Sequence, residues 1–179
     1  NICSASAIRN ALYKNDDIKD YVPEYSYNKL KKLRFIEDYY PYLKYKIITE
    51  IDNLNKYHLV DDKIIPRIKK YIYVSSNLDE LIKNIKSKNY TYNKIKRMLM
   101  HILMSYTENE HNNNVDYIHI LGFNIKGKNY LNRIKKNISI PILSKYDDKY
   151  LNIESRITNI INLNVNEKKE YEYKPIIKD

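Results

Sequence analysis

Thr91 to Tyr106 reads TYNKIKRMLMHILMSY, and its spacing decides the fold class. Ile95, Met98, Leu99, Ile102, Leu103 and Tyr106 recur at helical intervals and fall on one face. The stretch therefore predicts an amphipathic helix opened by Thr91. Upstream, Asn77 and Glu80 stand at capping-box spacing before Leu78, Leu81, Ile82 and Ile85, which predicts a second helix. Ile64, Ile65, Ile68 and Ile72 suggest another from Asp61, interrupted or kinked at Pro66. Pro41 suits the first turn of a helix whose inner face is Leu43, Ile47, Ile48 and Ile51. Pro23 marks a break, after which residues 24–35 form a short helix through Tyr27, Leu30 and Leu33. Ser4 to Tyr13 is the first helix, with Ser4 or Ser6 as its cap.

Downstream the pattern changes. Glu108 to Asn114 is a polar loop, and Val115 to Leu121 is a strand-like run ending at Gly122. Lys128 to Lys136 is helical. Ile138 to Leu143 is a second strand-like run, with Pro141 placing it at an edge or marking its end. Strand, helix and strand within about 30 residues is the size of one crossover, which makes the two strands parallel. Leu151 to Ile161 closes with a helix, and the tail from Glu167 is expected to be extended. The expected class is mostly α with a small α/β element: a helical domain plus one short parallel βαβ unit, with strands near 115–122 and 138–143.

Composition agrees with a helical chain. Two Gly and five Pro in 179 residues argue against a loop-rich or all-β protein. Cys3 is the single cysteine, which excludes a disulfide framework and a multi-cysteine zinc site. No uninterrupted apolar run approaches the ~18 residues of a membrane span, and there is no signal-peptide pattern. The chain starts at Asn1 rather than Met, as expected of a piece of a longer protein. Lys and Arg number 32 against 22 Asp and Glu, a net charge of +10 that suggests a polyanionic partner. The competing explanation is codon bias, since Asn, Lys, Ile and Tyr are all over-used and 20 of the 22 aromatics are Tyr.

Three groups of residues carry candidate chemistry. Ser4, Ser6 and Arg9 place two hydroxyls at a helix start with a forked cation one turn later. Such an arrangement suits a phosphate, because the helix N-terminus offers unpaired amides and the positive end of its dipole. The alternative is an ordinary cap followed by a solvated Arg. Lys94, Arg97 and His101 fall within a stripe of about 60° beside the apolar face of the central helix. That stripe is either a phosphate track or a solvated edge with His101 bonded to a neighbour. Lys126-Gly127-Lys128, Lys145 and Arg156 form a looser set, with Lys126 and Lys145 near strand C-terminal ends where open α/β sheets bind ligands. Gly122 and Gly127 have part of the spacing of a P-loop, but no Lys-Ser/Thr pair follows, so they read as turn glycines. His58 and His111 lack a second ligand at metal spacing, and no metal is expected.

The motifs, in order, resemble the bacterial tRNA(Met) cytidine acetate ligases of the HIGH-motif nucleotidyltransferase superfamily. The resemblance runs through Ser4 to Leu12 (SASAIRNAL), Tyr42 to Ile47 (YLKYKI), Lys86 to Leu103 (KSKNYTYNKIKRMLMHIL), Tyr117 to Leu131 (YIHILGFNIKGKNYL), Ser139 to Lys145 (SIPILSK) and Ser155 to Ile157. It implies a cytoplasmic enzyme that activates acetate with ATP and Mg to acetyl-adenylate. The acetyl group then passes to the wobble cytidine of elongator tRNA(Met), giving N(4)-acetylcytidine.

On that resemblance, Ser4, Ser6 and Arg9 bind the ATP phosphates, and Lys94, Arg97, His101, Lys126, Lys145 and Arg156 contact tRNA. No HIGH-like histidine motif is present. The chain is therefore expected to be the C-terminal portion, with the N-terminal nucleotide-binding domain as its missing partner. Residues 1–20 would be the edge of the catalytic domain and 21–179 the tRNA-recognition domain, inactive alone and holding no bound cofactor. Lys94 and His119 depart from the Arg common in such relatives, and Asp61-Asp62 replaces a Glu-Gly-Leu-like phrase. The alternative from another class is a stand-alone RNA-binding or scaffold module without chemistry.

Overall fold

The computed structural model describes residues 4–30, 34–165 and 174–178. The chain divides into two compact units, Asn1–Tyr40 and Pro41–Asp179.

The first unit holds α1 (Ala5–Tyr13) and α2 (Glu24–Leu30), with single 3-10 turns at Lys19–Tyr21 and Ile36–Tyr39. Ser4 is the cap of α1, its Oγ accepting from the Ala7 amide at 3.1 Å. The helix stops because Asn15 takes a left-handed conformation (φ 61°), which asparagine tolerates. The Asp16 amide then donates to Ala11 O at 2.9 Å and the Asn15 amide to Leu12 O at 3.0 Å, closing a Schellman motif. Ala11 and Ile18 are buried, and Tyr13 meets Phe35 edge to face at 5.2 Å. The expected helix over 24–35 is seen to Leu30, and Leu33 lies outside the described residues.

The second unit is a helical core followed by a thin α/β region. Its helices are α3 (Tyr40–Thr49), α4 (Ile65–Tyr71), α5 (Leu78–Ile85) and α6 (Tyr92–Leu103). The expected interruption at Pro66 does not occur. Pro66 sits in the first turn of α4, where its missing N–H has no intrahelical partner to lose. Asp61 organises the approach instead, its Oδ1 accepting from the amides of Lys63 (3.0 Å) and Ile64 (3.1 Å) and from the Tyr90 hydroxyl. Asn77 caps α5 through the Glu80 amide at 2.9 Å, while the Glu80 carboxylate accepts from the Ser76 amide at 2.7 Å. At the other end of α5, Arg67 of α4 donates to the carbonyls of Asn84, Ile85 and Lys86 at 2.7–3.1 Å. A cation on unpaired C-terminal carbonyls satisfies the helix dipole and fastens α4 to α5.

The apolar face of α6 is buried at Ile95, Met98, Leu99, Ile102 and Leu103, with Ile47, Ile68, Leu81 and Ile82 also inside. Tyr106, expected to continue that face, lies past the end of the helix. Ser105 adopts φ 54°, and the Tyr106 amide returns to His101 O at 2.8 Å, a second Schellman closure.

The expected single crossover is present and more elaborate. β1 (Ile118–His119) pairs in parallel with β3 (Ile142–Leu143), with α7 (Ile125–Ile134) on the connection between them. The run ending at Gly122 is not one strand, however. β2 (Gly122–Asn124) follows β1 and pairs in parallel with β4 (Ile176–Lys178), in register Gly122↔Ile176, Phe123↔Ile177 and Asn124↔Lys178. Gly122 permits this, since a Cβ there would stand 2.8 Å from Ile176 O. α8 (Asp148–Ile161), kinked at Leu151, precedes the tail. Of the tail from Glu167, residues 174–178 are extended, and 166–173 lie outside the described residues. Among the described residues no helix is long and apolar enough to cross a membrane.

Candidate functional site

Ser4, Ser6 and Arg9 occupy the first two turns of α1. Ser4 Oγ is the helix cap, and Ser6 Oγ accepts from Arg9 Nη2 at 3.3 Å. Both hydroxyl oxygens are thus used as acceptors, which leaves each O–H hydrogen to be donated outward, as an anion requires. The cavity of this unit lies elsewhere. Its volume is about 520 Å³, and Asp16, Asp17 and Asp38 are among its lining residues, a polarity opposite to that of a phosphate site.

On α6, Lys94 and Arg97 are exposed one turn apart, and His101 is half-buried. Lys94 Nζ stands 4.7 Å from the centre of the Tyr90 ring. His101 turns inward, its Nδ1 2.9 Å from His58 O, and burial holds its pKa below the usual imidazole value. It sits in an aromatic cluster: His58 stacks on His111 at 3.8 Å, and Tyr106 meets His58 and His101 edge-on. His58 Nδ1 is 2.8 Å from Glu108 Oε2. A neutral, inward His101 supplies packing to the stripe rather than charge. Among the described residues no three His, Cys, Asp or Glu side chains are grouped to hold a metal ion.

Arg156 of α8 reaches the same corner. It pairs with Glu110 at 2.8 Å, and Glu110 also accepts from the Thr107 amide and hydroxyl, each at 2.9 Å. His101 and Glu110 line one cavity of about 540 Å³ between the end of α6, the following loop and α8. Beside it lies a network that sequence reasoning missed. Glu50 accepts from Lys56 at 2.7 Å and from the Tyr57 hydroxyl, and lies 3.8 Å from Lys46. Burial pushes the Lys46 amine down and the Tyr57 phenol up. Lys46 and Glu50 are a local i,i+4 pair, but nothing local brings the Tyr57 hydroxyl to the same carboxylate, because Lys46 and Tyr57 stand on different elements.

Lys145 lines a third cavity, of about 850 Å³, together with Lys128, Lys135 and Lys174. Lys126 does not line it: two residues from Lys128, it stands about 200° round α7. The structure therefore separates Lys126 from Lys145. It joins Lys145 to Lys128 of the same looser set, and to Lys135 and Lys174, which sequence reasoning passed over, although Lys128, Leu131, Asn132 and Lys135 have the spacing of one helical face.

Comparison with known proteins adds identity to this geometry. The family model described as HIGH Nucleotidyl Transferase matches residues 1–175, nearly the whole chain rather than its first turns alone. The tRNA(Met) cytidine acetate ligase of Staphylococcus carnosus is 35% identical over 124 residues, 68% of this chain and 32% of that protein. The tRNA(Met) cytidine acetate ligase of Clostridium perfringens strain ATCC 13124 is 36% identical over 134 residues, 69% of this chain and 32% of that protein. The chain thus spans about a third of the length of these relatives. Two crystal structures of Thermotoga maritima TmcAL share the fold. The apo form has a TM-score of 0.83 at 18% identity, covering 97% of this chain and 50% of that one. The form bound with alpha-thio ATP has a TM-score of 0.82 at 19% identity, covering 97% and 51%.

Proposed function

Since the chain belongs to the HIGH nucleotidyl transferase family, we propose that it is the tRNA-recognising portion of a tRNA(Met) cytidine acetate ligase. In this reading the whole enzyme activates acetate with ATP and Mg as acetyl-adenylate and acetylates N4 of the wobble cytidine in elongator tRNA(Met). The first 20 residues form an edge of the nucleotide site, where the Ser4 and Ser6 hydroxyls and the Arg9 guanidinium receive ATP phosphates. Residues 21–179 bind the tRNA and correspond to the C-terminal part of the ligase.

The observation that carries the reading is the rim of α6. Lys94 and Arg97 are exposed, one turn apart, beside a face buried down to Ile95, Met98 and Ile102. The buried face fixes the helix, so the two cations are held at a constant spacing without being desolvated. Cations so placed neutralise successive phosphates and release condensed counterions. The ligase names of the relatives support the wider activity.

Equilibrium binding of elongator tRNA(Met) at several salt concentrations tests this. Replacing Lys94 and Arg97 together by Ala is expected to flatten the log–log salt dependence by about one to two units. Affinity should fall to a similar degree for other tRNAs, because phosphate contacts position the RNA and base contacts specify it. An unchanged slope and affinity would return the stripe to a solvated helix edge.

A further inference from the structure

The cavity of about 850 Å³ is built unlike the two smaller ones described above. Its floor is apolar: Phe123 of β2 and its register partner Ile177 of β4, with Ile120, Leu131 and Ile142. Its rim carries four lysines from three directions. Lys128 stands on α7 and Lys135 at its C-terminal cap, two turns on; Lys145 follows β3, and Lys174 precedes β4. Among the described residues no Asp or Glu lines the cavity, and Lys128, Lys145 and Lys174 have no ion-pair partner. A concave apolar surface whose described charged residues are all cations is a selective arrangement.

The occupant must match three features at once. It needs a flat apolar part to cover Phe123 and the aliphatic floor. It needs negative charge on more than one side, because the lysines do not converge on a single point. It must also fit about 850 Å³, within the range of ordinary ligand sites. An acyl chain meets the first requirement but carries its charge at one end. A base-paired duplex meets the second, but its bases are stacked away from a concave apolar floor. A nucleotide pulled out of its stack meets all three, with its base on the floor and a phosphate on either side. Asn132 and Ser144 also line the cavity and offer hydrogen bonds to a base edge.

We propose that the cavity between α7, β3 and β4 takes one unpaired, unstacked nucleotide of an RNA strand, the base on Phe123 and the flanking phosphates on Lys128 and Lys145. This rests on the tRNA-recognition reading and deepens it. The rim of α6 follows the backbone, whereas this cavity tests for a nucleotide that is not paired.

The probe is a single-stranded RNA 12-mer carrying 2-aminopurine, whose fluorescence falls when the base stacks. The protein is expected to raise that fluorescence as the base leaves its neighbours, and to bind the 12-mer more tightly than a duplex of equal length. Phe123→Leu keeps an apolar side chain in the register but removes the ring. It should weaken binding of the 12-mer about tenfold and abolish the rise in fluorescence. Lys128→Gln with Lys145→Gln changes two exposed positions, so folding is not at stake even if the Phe123 variant is damaged. That double variant should lower the salt slope by about one to two units. Binding and fluorescence change unaltered in both variants would overturn the proposal, as would displacement of the probe by phosphatidylglycerol vesicles. A protein that binds tRNA fully but not the 12-mer would overturn the proposal and leave the α6 reading standing. Failure to bind any RNA would remove both.

Discussion

Glu110 shows how a single side chain holds two elements. Burial alone would raise its carboxyl pKa, but the Arg156 guanidinium and the Thr107 amide and hydroxyl outweigh that and hold it below the usual carboxylate range. A carboxylate lowered in the folded state stabilises it fully above the unfolded pKa of about 4.3, and that stability is lost as pH falls through the lower folded value. Glu110→Gln should therefore flatten the acid limb of a urea-denaturation series between roughly pH 5 and pH 3. At pH 7 the same variant should lose about 1 kcal/mol. The Arg156 and Glu110 side chains are 34% and 27% exposed, so the pair counts as a partly solvated one. A profile parallel to that of the unchanged protein would make the pair incidental. Arg156 was visible in the sequence as a basic residue in a matching phrase. Its acidic partner, 46 positions away, was not.

At the scale of elements, the helices were the legible part because each states its own case within a dozen residues. Asn77 with Glu80 and Thr91 with Ile95 are local signals, and α5 and α6 start where those caps stand. The strands were legible as apolar runs but not in their pairing. β2 finds its partner more than 50 residues later, and nothing in Gly122–Asn124 names Ile176–Lys178. The glycine is the physical trace of that partner. Gly122→Ala would put a methyl 2.8 Å from Ile176 O, a backbone atom that cannot step aside alone. The Ile176 amide, which donates to Leu121 O at 3.0 Å, should then exchange with solvent at least tenfold faster, corresponding to a loss of ~1.4 kcal/mol of local stability. An unchanged exchange rate would mean that β4 does not depend on that close approach.

Across the whole second unit, burial is uneven. The fully buried side chains run from Leu43 to Leu103, whereas beyond His111 Leu151 is the one buried hydrophobic residue among the described residues. Local stability follows buried apolar area, so the two regions should open separately. Amides of α5 and α6 are expected to exchange only when the unit unfolds, and those of α7 and β1 to β4 about 100-fold faster or more. Uniform protection across both regions would contradict this division. The same contrast explains which candidate residues could be read in advance. Lys94 and Arg97 sit on a helix whose orientation is dictated by its core, so their exposure followed from spacing. The cavity around Lys145 is bounded by three elements, and only the fold brings them together.

The parallel pairing of β4 with β2 also has a consequence in time. During synthesis from the N-terminus, α7 and β3 are in place before Lys174 and Ile177 exist, so the apolar floor lacks one wall until β4 emerges. A nascent chain halted before that point carries the α6 cations but not the finished groove.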